Sequence, residues 1–523
     1  FKIINLDLEH YLFAFDLNRT LAILTLFSLV LILLGVNRGF DISDEGLYVL
    51  LAVPDQENFA GIFNYDLFFK LFYKITGIEF GIIGLRLLRL ILYGCGAYAL
   101  TLFWRNFTNS KFSINIYFLS LAGLFAGYGF LPQSLSYNSI SVVLSCFWLC
   151  LISKKDKADI HYIFMGILLA SMLYVKITAV LGLGLLTLLS ATFDRNFKWY
   201  QIVGLLAPFL IFEILLYSSL GDFLVSRLSG ASRMMAARPD YSILLLFKYA
   251  GVGFFWIALT AIPFLIASRF RKSKPAIRLS LLGLAVFALV SICYYTSITQ
   301  EWNHIVLLLT VAILAYFSTE IDLKSISRNQ QFLILVLLFL PFVLHFGSNV
   351  YWLRLGIHYW VFWILATFFL FELMKFHLIE YVKPVVGLIS LLLVLNGIWI
   401  HPFEQEPLWE ADQKWNYSNE DYLFLSQNQI LVLNAIKPLV EGEDQLLALY
   451  RIPGIPFLLN KTSPRSPGFW TKSQTEYFFP STYQRDLLIV NSLDSLPSFV
   501  KNDFSTKYVK VPDSKEIKVL WRK

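Results

Sequence analysis

The chain has 523 residues, 57% of them hydrophobic and only 15% charged, with a formal net charge of +7. A mean hydropathy of +0.62 lies beyond what soluble globular chains carry, which excludes a water-soluble enzyme and leaves a polytopic membrane protein. Cys95, Cys146, Cys150 and Cys293 all sit in apolar segments, so no disulfide-stapled outer domain is expected.

A helix crosses about 30 Å of hydrocarbon with about 20 apolar residues. On that measure thirteen spans are expected, near 20–36, 82–103, 113–130, 138–152, 160–175, 177–193, 200–218, 249–268, 279–296, 303–317, 331–346, 357–374 and 383–399. No small-residue cleavage site follows the first, so Thr20 to Val36 reads as a retained span. With the N-terminus inside, the cytoplasmic loops "WRNFTNSK", "SKKDKAD", "FDRNFKWYQ", "SRFRKSKPAIR", "DLKSISRNQ" and "MKFHLIEYVK" gather the Lys and Arg. The outer loops "LPQSLSYNS" and "TSITQEWNH" hold none. The outer loop "GDFLVSRLSGASRMMAARPDYS" breaks the rule with Arg227, Arg233 and Arg238, a violation that asks for a function.

The first outer loop, 37–81, carries Asp41, Asp44 and Glu45 in "FDISDEGLYVLLA". After it comes "NFAGIFNYDLFFKLFYKITG", where Phe63, Leu67, Phe68, Leu71 and Phe72 fall at helical spacing and Asp66, Lys70 and Lys74 mark another face. That pattern predicts a helix lying in the membrane interface. Carboxylates beside such a helix are partly desolvated, and nearby cations keep them ionised and fit to act as a base. The plainer reading is a solvated loop whose acids cap the helix beginning "GLYVLLA". Arg86 and Arg89 then lie inside the second span, where a charge faces a cavity, a partner or, by snorkelling, the headgroups. Lys176 interrupts an apolar run long enough for two spans. It is placed at a short outer turn, where it meets a lipid phosphate or simply snorkels. "TQEWNH", with Glu301 and His304, and "YWLRLGIHYW", with Arg354 and His358, flank outer span ends, and aromatic-belt anchoring accounts for both.

Thirteen spans put everything after Ile400 outside, where the composition turns polar. The β-prone runs "QLLALY", "DLLIV" and "EIKVLW" and the helical "NQILVLNAIKPLV" predict a small α/β domain. It carries no phosphate loop, CxxC pair or His cluster, and its expected role is to cover the membrane site or to touch a partner in a membrane complex. The overall expectation is an all-α polytopic membrane domain over 1–399, with interfacial helices in the loop 37–81, and an α/β extracytoplasmic domain over 400–523.

An acid pair after the first span, an interfacial helix, an Arg opening the second span and a Lys between the fifth and sixth form an ordered set. The set resembles the GT-C superfamily of polyprenyl-phosphate-sugar-dependent glycosyltransferases, in the branch with the lipid A aminoarabinose transferase and the protein O-mannosyltransferases. The "DExxY"-like signature of that branch reads here Asp44-Glu45-Gly46-Leu47-Tyr48. A second stretch is echoed by "FNYDLFFKLFYKITG…GLR", with Tyr65, Asp66, Lys74, Gly77 and Arg86 in step. Its Lys-Pro-Pro is Leu67-Phe68-Phe69 here, which leaves open whether Lys70 replaces the lost donor contact.

The resemblance, which covers roughly the first 190 residues and the general plan, implies transfer of a sugar from a polyprenyl phosphate to a hydroxyl of a lipid, glycan or protein. Direct displacement inverts the anomeric centre. Asp44 is then the base, Glu45 orients the acceptor or a cation, and Tyr48 and Asp66 position substrate. Arg86, Lys176, Arg227, Arg233 and Arg238 are candidates to hold the phosphate, with His304 and Arg354 further along the outer face. Asp44 and Glu45 also offer two carboxylates to a divalent metal, with no His/Asp spacing beyond them to support one. The expected setting is a bacterial inner membrane with an outward-facing site among membrane lipids, and nothing points to nucleic acid. A noncatalytic scaffold subunit on the same fold and a multi-span transporter are the alternatives.

Overall fold

The computed structural model describes residues 17–61, 63–193, 197–236, 242–270, 273–296, 302–320, 326–376, 379–418, 421–479, 487–491, 495–500, 504–511 and 514–522. Arg238 and Glu301 lie outside the described residues. Helix α1 (Leu17–Leu34) leads through two short helices, α2 (Asp44–Ala52) and α3 (Asp66–Thr76), into α4 (Ile82–Thr108), α5 (Ile114–Phe125), α6 (Tyr137–Ile152), α7 (Asp159–Val175), α8 (Ile177–Phe193) and α9 (Gln201–Leu220). Then come α10 (Leu224–Ala236), α11 (Ile243–Arg269), α12 (Pro275–Thr296), α13 (Asn303–Ser318) and α14 (Arg328–His345). A broken element, α15 (Trp352–Leu355) and α16 (Trp360–Leu373), precedes α17 (Ile379–Val394).

The chain is an integral membrane protein. Among the described residues eight elements are long and apolar enough to cross a bilayer: α1, α4, α9, α11, α12, α14, the α15–α16 unit and α17. Helices α5, α6, α7, α8 and α13 are apolar but shorter. All thirteen expected segments coincide with helices, and the number of spans turns on those five short ones. Helix α16 reads "WVFWILATFFLFEL", apolar on every side, a pattern that suits lipid or a protein interior, and packing encloses it: Trp360 to Phe371 are all buried. Helix α12 leaves Leu284, Phe287 and Val290 outside the protein, facing lipid.

The two ends of the bundle differ. At one, Asn106 donates to Ser153 Oγ (3.3 Å) and Gln330 Nε2 to the Phe107 carbonyl (2.9 Å), drawing together the basic loops near Lys111, Lys154 and Arg328 that were expected on the cytoplasmic side. At the other gather the loops after α1, α7, α9 and α14 and the C-terminal region.

That region is an α/β unit, as expected. It holds a hairpin of β1 (Gln413–Asn416) and β2 (Tyr422–Leu425), the helix α18 (Gln427–Ile436), the strand β3 (Leu447–Leu449), the short helices α19 (Gly454–Leu458) and α20 (Lys472–Phe478), and three strands, β4 (Leu487–Asn491), β5 (Phe504–Val511) and β6 (Ser514–Arg522). The larger sheet has the order β3-β4-β6-β5, with β3 parallel to β4 and the other pairs antiparallel. It shares an apolar core with α2 and the start of α4: Phe40, Val49, Leu50, Ile82 and Leu85 pack with Leu423, Leu425, Ile455 and Ile489.

Backbone and amide contacts fix the join. Gly454 N–H donates to the Ile42 carbonyl (2.8 Å), Phe59 N–H to the Arg465 carbonyl (2.9 Å), and the Gln56 amide pairs with both backbone groups of Ser463 (2.7 and 2.8 Å). Helices α2 and α19 cross so closely that a Cβ on Gly46 would lie 2.2 Å from Gly454 N and 2.4 Å from its Cα. Backbone cannot step aside as a side chain can. Gly46→Ala is therefore expected to cost about 1–3 kcal/mol, the usual penalty of overpacking, and to lower the unfolding temperature of the detergent-solubilised protein.

Candidate active site

Helix α2 starts with a division of labour among its acids. Asp41, fully buried, does the capping: Oδ1 accepts from Ser43 N (2.8 Å) and Oδ2 from Asp44 N (2.8 Å) and Glu45 N (3.0 Å). Burial, then the neighbouring Asp44 charge, push the Asp41 carboxyl well above its ordinary range. Because Asp41 carries the cap, the capping role that the plainer reading gave to the acid pair does not require the Asp44 carboxylate.

Glu45 and Arg86 form a buried ion pair, 0% and 2% exposed. Arg86 Nε donates to Glu45 Oε1 and Nη2 to Oε2, each at 2.8 Å, in the bidentate geometry that suits guanidinium and carboxylate. Its remaining N–H groups go to the carbonyls of Val36 (3.0 Å), Arg38 (2.9 Å) and Gly39 (2.8 Å). All five of its N–H groups are engaged and Glu45 balances its charge, which argues against the expected role of Arg86 in holding a phosphate. Arg86 instead ties α4 to the chain leaving α1. Ser134 Oγ also donates to Glu45 Oε1, so both Glu45 oxygens are occupied and the Asp44–Glu45 pair does not present two open carboxylates to a metal. No group of three His, Cys, Asp or Glu able to hold a metal occurs among the described residues. Arg89 is equally buried and does not snorkel: it donates to the carbonyls of Pro132 (2.7 Å) and Gly127 (3.0 Å) and stacks on Tyr128.

The arginine-rich loop has a structural explanation. Arg227, on α10, donates to both oxygens of Asp66 (2.6 and 3.1 Å) and to Asp222, while Lys70 approaches Asp66 at 3.1 Å. Burial opposes the Arg227 charge, but Asp66 and Asp222 outweigh it and push its pKa up. Burial likewise raises Asp222, yet Arg227 holds that carboxyl below its usual range. The misplaced charge is thus neutralised where it stands. Asp66 was expected on the polar face of an interfacial helix. It is buried instead, because Arg227 and Lys70 satisfy it, and it fastens α3 to α10. Arg233 lies exposed on α10.

Asp44 and Lys176 line two adjoining hollows. Asp44 lines a hollow of about 100 Å³ with Tyr48, Phe63, Tyr137, Asn349 and Trp470. Burial, then the Asp44 charge, push the Tyr48 phenol up, so it stays a neutral donor at that wall. Lys176, 8% exposed at the joint of α7 and α8, lines a second hollow of about 200 Å³. Its ammonium donates to Ser348 Oγ (2.9 Å) and to the carbonyls of Leu344 and His345. It also lies 5.5 Å from the centre of the Tyr137 ring. Burial lowers its pKa to about 7. The two hollows share Phe63, Tyr137 and Asn349, and the stacked rings of Phe63 and Tyr137, 4.5 Å apart, form the partition.

No protein-family model and no curated protein matches the chain. Among solved structures it is similar to ArnT from Cupriavidus metallidurans bound to undecaprenyl phosphate, with 10% identity over 95% of this chain and 97% of that one and a TM-score of 0.43.

The remaining expected site residues lie apart from the two hollows. His304 is buried in the first turn of α13, and Arg354 is half-buried with its guanidinium 4.8 Å from the Phe130 ring. Neither lines the hollow of Asp44 or that of Lys176. A larger hollow of about 430 Å³, between the C-terminal region and Ile42–Ser43, also holds neither Asp44 nor Lys176. Sequence reasoning overlooked Tyr137, Ser348, Asn349, Trp470 and Gln474, all of which line one or both of the hollows of Asp44 and Lys176. The one legible signal was the absence of Lys and Arg from "LPQSLSYNS", which marks an outer loop but not a wall of the site.

Proposed function

We propose that this protein is a membrane glycosyltransferase that moves a sugar from a polyprenyl phosphate to a hydroxyl of a lipid, glycan or protein on the outer face of the membrane. The observation that carries the reading is the adjoining pair of hollows, one lined by Asp44 and the other by Lys176, with Phe63, Tyr137 and Asn349 common to both. Asp44 takes the proton from the acceptor hydroxyl as its oxygen attacks the anomeric carbon. The bond from that carbon to the phosphate oxygen breaks, and the phosphate leaves with the electron pair toward Lys176. A single displacement of this kind inverts the anomeric centre. Leu173, Val175 and Ile177 give the Lys176 hollow an apolar side suited to a prenyl chain.

Titration of the protein in nanodiscs with a polyprenyl phosphate, read by native mass spectrometry, tests the phosphate half of the reading. Wild type is expected to bind, and Lys176→Met to bind about tenfold or more weakly, the worth of one charge-assisted hydrogen bond. Above pH 7 the second ionisation of the phosphate, near pKa 6, is largely over, whereas Lys176, lowered by burial to about 7, is losing its charge. Affinity should therefore fall between pH 7 and 9 in wild type and stay flat in Lys176→Met. A wild type that does not discriminate between polyprenyl phosphate and the uncharged polyprenol would refute the reading.

A further inference from the structure

We infer that Gln474, from the C-terminal region, is a phosphate-binding residue of the Lys176 hollow, its side-chain amide donating a hydrogen bond to an anionic oxygen of the lipid-linked phosphate. This rests on the function proposed above and adds to it a wall of the site contributed from almost 300 residues further along the chain than Lys176.

The orientation of the amide follows from its contacts. Helix α20 opens with a capping box in which Thr471 Oγ1 accepts from Gln474 N and the Gln474 side chain reaches back. Gln474 Oε1 accepts from Trp470 N (2.8 Å) and Thr471 N (3.3 Å). Both partners are N–H donors, so the oxygen must face them and the NH₂ must point the other way. Gln474 is one of the residues that line the hollow of Lys176. The side chain is 1% exposed, and Nε2 has no hydrogen-bond partner among the described residues. Buried donors are almost always paired, and one left unpaired at the wall of a cavity marks the place of an acceptor.

The cavity defines that acceptor. None of the described residues lining it is Asp or Glu, and its polar groups include the Lys176 ammonium and the amides of Asn64 and Asn349. A hollow with a lysine ammonium, no acid among its described lining residues and an apolar side fits the phosphate of a lipid. Four residues before Gln474, Trp470 lines the hollow of Asp44, so the start of α20 touches both halves of the site. The segment is held in place by the Gln56–Ser463 amide pairing and by Phe59 N–H on the Arg465 carbonyl.

Capping alone does not account for the residue type. At this position Glu caps as well as Gln, because only the oxygen is used. Gln474→Glu therefore separates the two roles: it keeps the cap and replaces the donor by a carboxylate facing Lys176. Titration with polyprenyl phosphate in nanodiscs, with inorganic phosphate and polyprenol as parallel probes and the unfolding temperature as control, is the experiment. The expected result is at least a tenfold loss of polyprenyl phosphate binding with an unchanged unfolding temperature and no change toward polyprenol. Inorganic phosphate that binds wild type and loses the same factor also supports the assignment and shows that the headgroup alone is read. Should Gln474→Glu misfold, Gln474→Ala decides, with an expected loss of about threefold to tenfold. If Lys176→Met weakens binding while the Gln474 variants bind as wild type does, Gln474 is a capping residue only and the inference falls, with the proposed function intact. If wild type itself does not bind polyprenyl phosphate, the proposed function fails and the inference with it.

Discussion

Asp44→Asn is expected to abolish sugar transfer in a protein that folds and inserts as wild type does. Loss of a general base costs about 10²–10⁴ in rate. The substitution is isosteric, and the N-terminal amides of α2 are held by Asp41, not by Asp44, so the helix keeps its cap. Comparison of surface glycolipids, glycans and glycoproteins by mass spectrometry, in cells carrying wild type or the variant at equal abundance, gives the readout and also reveals the acceptor class. Wild-type levels of a glycan that depends on this protein would remove Asp44 as the base. Asp41→Asn is the contrasting variant: its amide oxygen can still accept from Asp44 N and Glu45 N, but its NH₂ then faces the Ser43 N–H, so a lower unfolding temperature is expected with transfer retained in the protein that folds.

Glu45→Gln should damage the fold rather than the chemistry alone. Arg86 would keep its carbonyl partners but lose the carboxylate it pairs with, in a site where both side chains are buried. Removing one partner of such a pair costs about 3–5 kcal/mol, because the other is left charged and uncompensated. The expected outcome is a sharply lower unfolding temperature in detergent and poor accumulation in the membrane, with Arg86→Met moving in the same direction. The double variant Glu45→Leu with Arg86→Met should recover part of the loss, since no orphan charge remains. A Glu45→Gln protein as stable as wild type but inactive in transfer would return Glu45 to the chemistry.

These two neighbours show how adjacent carboxylates in one motif divide. Asp44 and Glu45 follow each other on α2, roughly 100° apart around the helix. One faces a hollow and the other faces α4 and the chain leaving α1. Motif resemblance names both residues, and the helix decides which of them can meet a substrate. The lysine at position 176 shows the opposite case. Interrupting an apolar run, it is conspicuous in the sequence, and it stands at the turn between α7 and α8 where the run had to break.

By itself the sequence determined the membrane class, the placement of the helical segments, the basic end of the bundle and the α/β character of the C-terminal region. All of these follow from local quantities: the length of an apolar run, the cost of a charge in hydrocarbon, the period of a pattern. Tertiary structure alone decided which charges are spent. Arg86 finds Glu45 across 41 residues and Arg227 finds Asp66 across 161, whereas the partner that Lys176 finds across 172, Ser348, is a neutral hydroxyl that leaves its charge unbalanced. A guanidinium looks the same in sequence whether it will clamp a phosphate or close a buried pair. Only packing brings its partner within about 3 Å, and at that distance a hydrogen-bonded carboxylate consumes the donors a ligand would need.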